Sequence, residues 1–162
     1  MNYYELFQIP VSPVVDKKLV AQQYIALQKA HHPDFFTNES DTDKETALAT
    51  SAAINKGYQI FQQTDKTIEY FLQLQQIIEA DEKYPLPPHF LMEMMELNEA
   101  IDEQNDTYNK QIASFEQEMA NELTSILNRY QQQPTDTSVL NDLKLYYYKK
   151  KYLKRILERL DE

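Results

Sequence analysis

Glu82-Lys83-Tyr84-Pro85-Leu86-Pro87-Pro88 places three prolines within four positions. Proline lacks a backbone N–H and pushes its predecessor out of the helical region, so no helix runs through this stretch. It divides the chain into residues 1–80, a proline-rich linker at 81–88 and residues 89–162. On both sides the composition favours helix: glycine occurs once in 162 residues, and cysteine and tryptophan are absent. Few tight turns and few β-branched runs leave an all-α chain as the expectation.

Ahead of the prolines, four helical segments are expected. Tyr3 to Gln8 is short. A second starts near Ser12-Pro13 or Asp16 and runs to about Ala30, with Val20, Tyr24 and Leu27 on one stripe. A third covers about Asp43 to Gln63, with Ala47, Ile54, Tyr58 and Phe61 on one face. Gly57 inside it costs about 1 kcal/mol relative to alanine, a cost that close helix packing would explain. The fourth, Thr67 to Glu79, carries Phe71, Leu74 and Ile78.

Beyond the prolines, Pro87 or Pro88 opens a helix whose core stripe is Phe90, Met94, Leu97 and Ile101. Asn105-Asp106-Thr107 breaks it and supplies the next N-cap. Tyr108, Ile112, Phe115, Met119, Ile126 and Tyr130 mark a second helix. After the turn at 131–138, Val139, Leu143, Tyr146, Leu153, Leu157 and Leu160 mark a third. Three amphipathic helices with short connections predict an antiparallel three-helix bundle.

The net charge of −10 argues against nucleic acid or an anionic membrane as a partner. Without cysteine the chain has no disulfide and no thiolate nucleophile or metal ligand. Met1-Asn2-Tyr3-Tyr4-Glu5 shows no basic-then-apolar leader pattern, and no apolar run approaches a membrane span of about 20 residues. The expectation is a soluble, cytoplasmic protein. The basic run Lys149-Lys150-Lys151, with Lys154 and Arg155, reads as the solvated side of the last helix.

His32-Pro33-Asp34 follows the second helix directly and is preceded by His31. The tripeptide occurs by chance in roughly one chain per hundred of this length. From the residues alone it is either a helix stop with Asp34 capping nearby amides, or an exposed recognition loop. A metal site built on His31, His32 and Asp34, and with it a metal-dependent hydrolase, is a further reading. Adjacent histidines rarely address one ion, however, and the remaining His89 lies across the prolines.

The surroundings of the tripeptide resemble a J-domain. Tyr3-Tyr4-Glu5-Leu6-Phe7, Leu27-Gln28 leading into His32-Pro33-Asp34 and Phe36, and Ala53-Ile54-Asn55 with Tyr58 carry the likeness. It implies an antiparallel helical hairpin plus short helices, and a loop of His32, Pro33 and Asp34 that stimulates the ATPase of an Hsp70. The chain itself would then be no enzyme and need no cofactor. J-domains usually carry a dense basic face on the second helix. Here Lys17, Lys18 and Lys29 remain, with Lys18, Gln22, Ile25 and Lys29 on one side, and Phe35 stands where a basic residue is common.

The first helix after the prolines has a second face. Met92, Met95, Glu96, Glu99 and Glu103 lie away from the core stripe, and the carboxylates are like charges one turn apart. Periodicity admits both a solvated acidic face and an adaptable docking surface of methionines and carboxylates. The run from Phe90 to Glu103 is similar to that of HscB-type co-chaperones in their bacterial form, which join a J-domain to a C-terminal three-helix bundle. The resemblance implies that Leu91, Met92, Met95, Glu96, Glu99 and Glu103, with Tyr147 on the last helix, bind an IscU-type iron–sulfur scaffold. A J-domain protein serving a different client is the alternative. The arginine usual just ahead of Glu69-Tyr70 is missing, with Thr67 in its place.

Overall fold

Asp16 starts the first long helix, because its carboxylate accepts from the backbone N–H groups of Lys18 at 3.0 Å and Leu19 at 3.2 Å. The protein is described here by a computed structural model covering residues 1–161, within which all regular structure is helical. The helices are α1 (Tyr3–Phe7), α2 (Lys17–His31), α3 (Asp41–Gln62), α4 (Thr64–Leu74), α5 (Pro88–Asp102), α6 (Tyr108–Gln132) and α7 (Thr137–Glu158). Short 3₁₀ turns occupy Pro33–Phe36 and Arg159–Asp161. The chain divides into two compact units, Met1–Leu74 and Gln75–Glu162.

In the first unit α2 and α3 form the antiparallel hairpin, with α1 packed on both and α4 on α3. Tyr4, Phe7, Val20, Ile54 and Phe61 form its buried centre. Two side-chain contacts register the hairpin. Tyr24 and Tyr58 stack with ring centroids 4.0 Å apart, and Asn55 Oδ1 accepts from both Tyr24 Oη–H and Gln28 Nε2–H at 2.9 Å. Gly57 is the point where α1 meets α3. A Cβ there would lie 2.8 Å from Phe7 Cε1 and 2.9 Å from Tyr3 Cδ1, so the missing side chain is what permits the approach.

The α3–α4 corner departs from expectation. Helix α4 begins at Thr64, and Thr67 lies buried inside it, where its hydroxyl lies 3.0 Å from the carbonyl oxygens of both Ile60 and Gln63. Thr67 therefore ties α4 to the end of α3. Helix α4 also ends at Leu74, since Gln76 adopts left-handed backbone at φ 59°. That leaves Leu74 exposed and Ile78 buried outside any helix, so neither continues the expected stripe.

In the second unit α5, α6 and α7 pack on one another as a three-helix bundle. Phe90, Met94, Leu97, Met119, Ile126, Val139, Leu143, Tyr146 and Leu153 are buried as expected. Two stripes end differently. Ala100 rather than Ile101 closes the α5 stripe, three residues after Leu97. In α7 Ile156 is buried while Leu160 is exposed, because the chain tightens into the final 3₁₀ turn and rotates Leu160 off the stripe. Thr107 is the N-cap of α6 but makes no side-chain bond; Asn105 Oδ1 instead accepts from Thr107 N–H at 3.0 Å. Residues 75–87, which include most of the expected linker, belong to this unit.

With its one glycine used for packing, the chain ends helices on other residues. Gln8 and Gln104 take left-handed backbone, at φ 54° and 53°. At both the motif is complete: Ile9 N–H bonds to Tyr4 O at 3.0 Å and Gln8 N–H to Glu5 O at 3.1 Å, and Asn105 N–H bonds to Ala100 O at 2.9 Å and Gln104 N–H to Ile101 O at 3.0 Å.

Two stability predictions follow from these packing and backbone features. Gly57→Ala gains helix propensity but forces Phe7 and Tyr3 aside, for a net loss of about 1–2 kcal/mol in urea unfolding of the first unit. Gln104→Gly relieves the left-handed strain and raises the stability of the second unit by about 1 kcal/mol in the same measurement.

Candidate functional site

Helix α2 stops at His31 because Pro33 fixes His32 in extended backbone, at φ −63° and ψ 134°. His32 still donates its N–H to Gln28 O, and its own carbonyl accepts from Phe35 N–H, both at 3.0 Å. Its imidazole caps the turn it precedes: Nδ1 accepts from Asp34 N–H at 3.2 Å. An accepting Nδ1 carries no proton, so in the neutral ring the proton sits on Nε2, which is left available to a partner. The Asp34 carboxylate lies 3.5 Å from Nδ1 and is exposed. Phe35 meets the His32 ring edge-on at 6.0 Å. The turn thus presents His32, Asp34 and Phe35 at one end of the hairpin. Lys18 and Lys29 are exposed on α2. Among the described residues, no three His, Asp or Glu side chains are grouped to hold a metal ion, and no helix is long and apolar enough to cross a membrane.

On α5 the burial pattern separates two faces. Phe90, Met94 and Leu97 are buried, whereas Met92 and Met95 are 60% and 59% exposed. Glu96, Glu99 and Glu103 are exposed beside them, and Leu91 is half-buried. Among the described residues these three glutamates have no ion-pair partner. Their placement is unfavourable twice over. They repel one another at helical spacing, and Glu99 and Glu103 crowd the C-terminal end of α5, where the helix dipole is already negative. No basic residue lies in that last turn; Arg159 reaches Asp102 there at 2.5 Å but leaves the three glutamates unpaired.

Tyr147 lies on α7 in a different cluster. Its ring meets Tyr148 edge-on at 4.9 Å, and Lys151 Nζ lies 5.8 Å from its centroid. Tyr148 is held more firmly. It stacks on Tyr84 at 4.5 Å and 8°, and its hydroxyl donates to Glu82 Oε1 at 2.9 Å. The other Glu82 oxygen pairs with Lys144 Nζ at 2.7 Å. The proline-rich segment is therefore fastened to α7 beside Tyr147. Sequence reasoning missed Glu82, Tyr84, Lys144 and Tyr148, because a contact across this sequence distance leaves no periodic signal. It also placed Lys149 on a solvated side. Lys149 instead pairs with Glu122 of α6 at 2.9 Å and lies over the Phe90 ring at 5.5 Å, since its long stem covers apolar surface.

The hydrogen-bonded Lys144 ammonium holds the Glu82 carboxyl below the usual carboxylate range. Burial, followed by the Glu82 carboxylate, pushes the Tyr148 phenol well above its ordinary value.

Residues 86–161 match the family model of the HSCB C-terminal oligomerisation domain. A co-chaperone protein HscB homolog of Vibrio cholerae serotype O1 (strain M66-2) is 41% identical over 103 residues, 63% of this chain. That match spans 60% of the relative's own length. The homolog of Shewanella baltica (strain OS195) is 30% identical over 141 residues, 81% of each chain. Among solved structures, the chaperone HscB from Vibrio cholerae is 30% identical and covers 99% of both chains, with a TM-score of 0.63. The human co-chaperone protein HscB is 26% identical, with a TM-score of 0.81 over 99% of this chain and 81% of its own.

The Glu82–Tyr148 contact predicts a pH signature for the second unit. Glu82 is depressed in the folded state, so its contribution is complete above about pH 4.5 and fades as pH falls through the folded value. Tyr148 is raised, so its contribution is complete below about pH 10 and fades above it. The melting-temperature gap between wild type and Tyr148→Phe should narrow above about pH 10. The gap to Glu82→Gln should narrow below about pH 4. Gaps that stay constant across pH would show that the contact carries no stability.

Proposed function

Because the chain belongs to the HscB co-chaperone family, we propose that it is a cytoplasmic adaptor which stimulates the ATPase of an Hsp70 and delivers an IscU-type scaffold to it during iron–sulfur cluster assembly. The observation that carries this reading is the turn at 32–34, held in one conformation by the His32 Nδ1 bond to Asp34 N–H while its polar groups stay exposed. Such a turn is preorganised for a partner, which lowers the ordering cost of binding. Lys18 and Lys29 add attraction to an acidic surface. Hydrolysis belongs to the Hsp70; His32, Pro33 and Asp34 act by docking to it.

The α5 face supports the second half of the reading. Flexible exposed methionines adapt to an apolar partner surface, and unpaired carboxylates beside them select a basic one. A row of like charges kept at a cost to its own helix fits a binding role better than a structural one. Leu91, Met92, Met95, Glu96, Glu99 and Glu103 are the proposed scaffold contacts, with Tyr147 a further one on α7. Joining both binding functions in one chain raises the effective concentration of scaffold at the chaperone.

The test is steady-state ATP hydrolysis by the host's Hsp70, with and without the scaffold. Wild-type protein stimulates, the scaffold raises the rate further, and His32→Gln abolishes the stimulation. Met92→Ala with Glu96→Ala keeps the stimulation by the protein alone but weakens the scaffold effect about tenfold or more in half-maximal concentration. Full stimulation by His32→Gln would remove the proposed role of the turn. An unchanged scaffold effect in the α5 variant would point to a different client or a different face.

A further inference from the structure

With no cysteine and no tryptophan in 162 residues, the methionine thioethers are the most readily oxidised side chains of this protein. Burial divides the five methionines sharply. Met94 is fully buried and Met119 is 3% exposed, both among the apolar side chains of the bundle. Met92 and Met95 are 60% and 59% exposed, and both stand on the outer face of α5. Met1, the remaining one, begins the chain in the first unit. Every exposed methionine of the second unit therefore lies on the face assigned above to the scaffold.

Met92 and Met95 are three residues apart in one helix, which makes their side chains surface neighbours with Cβ atoms about 5–6 Å apart. As thioethers the pair supplies flexible apolar surface to a partner. As sulfoxides it presents two strong dipoles, and covering these with a partner strips them of water. The free helix loses little, because both side chains are already solvated. Glu96 and Glu99 are exposed, each four residues beyond one of the methionines. Their charge repels anionic oxidants, whereas uncharged hydrogen peroxide reaches the sulfurs unopposed.

We propose that Met92 and Met95 are a redox-sensitive modification site, whose oxidation by hydrogen peroxide weakens scaffold binding and spares the action on the Hsp70. This rests on the scaffold reading above and adds its regulation. In each step a sulfur lone pair attacks one peroxide oxygen, so that an S–O bond forms as the O–O bond breaks. The departing hydroxide takes the proton from the transferred oxygen and leaves as water. The sulfur is oxidised by two electrons and the peroxide is reduced by two. Methionine sulfoxide reductases reverse the step with two thiols, which leave as a disulfide while the oxygen leaves as water. The turn at 32–34 and its neighbours from His31 to Thr37 contain no methionine, so the same dose of peroxide leaves that contact unaltered.

The experiment treats the full-length protein alone with hydrogen peroxide, removes the oxidant with catalase, and follows the sulfoxides by peptide mass mapping. Met92 and Met95 should gain oxygen about tenfold faster than Met94 and Met119. In the Hsp70 ATPase assay the treated protein should stimulate as before without scaffold, while the half-maximal scaffold concentration rises about tenfold. Methionine sulfoxide reductases with dithiothreitol should restore the starting value. Met92→Leu with Met95→Leu has no sulfur on this face. Whatever its own half-maximal concentration, treatment should leave that value unchanged, although Met1 is still oxidised. Sulfoxides at Met92 and Met95 with an unchanged scaffold effect overturn the inference and leave the scaffold reading standing. A double-leucine variant that weakens equally on treatment, or a loss that the reductases do not reverse, overturns it as well. So does a melting temperature that falls together with the scaffold effect, since the buried methionines would then be the target. Absence of a scaffold effect in the untreated protein would remove the scaffold reading itself, and this inference with it.

Discussion

The carbonyl oxygen of the Asn55 side chain accepts two hydrogen bonds from α2, from Tyr24 and Gln28. The rest of the first unit depends on that junction. It sets the register of the hairpin, and the Tyr24–Tyr58 stack beside it holds the two helices together over one further turn. With the register set, the end of α2 falls where α3 can support the 3₁₀ turn, and the His-Pro-Asp side chains are held at a defined place. Two residues beyond Asn55, Gly57 opens the other side of α3 to α1. One short stretch of α3 thus serves both faces, bonding to α2 through an amide and admitting α1 through a missing side chain.

The second unit distributes its charge unevenly. Glu82 and Glu122 are satisfied by Lys144 and Lys149, and Asp142 by Arg129 at 2.7 Å. Among the described residues, Glu96, Glu99 and Glu103 of the exposed α5 face are left without such partners, as are Glu116 and Glu118 of α6. An unneutralised acidic row at a helix C-terminus lowers helix stability slightly, and proteins accept local penalties of that kind mainly at sites of use. The α5 face therefore joins solvent accessibility, adaptable methionines and uncompensated charge on the helix that also supplies the buried Phe90, Met94 and Leu97.

Much of this was legible in the amino-acid order. The stop at Pro33, the exposed turn after it and the two faces of α5 follow from proline sterics and from the 3.6-residue period, which act over neighbouring residues. The α3–α4 corner was less legible, because Thr67 makes its bonds to Ile60 and Gln63 only once the two helices meet. The role of Gly57 was legible as a cost without a visible return. Its return is the contact with Tyr3 and Phe7, some fifty residues earlier in the chain. Likewise, Lys149 reads as solvated from its basic neighbours, and only the position of Glu122 on α6 shows otherwise.

By itself, the sequence determined that the chain is helical, where α2 must stop, and which residues of α5 face away from its core. These follow from backbone sterics and side-chain periodicity, which need no knowledge of the rest of the fold. Tertiary structure decided the register of α2 on α3 and the fastening of Glu82 and Tyr84 to Tyr148. Each of these depends on residues far apart in the chain meeting at distances of a few ångströms. Local order does not encode such meetings, and only the packed core brings them about.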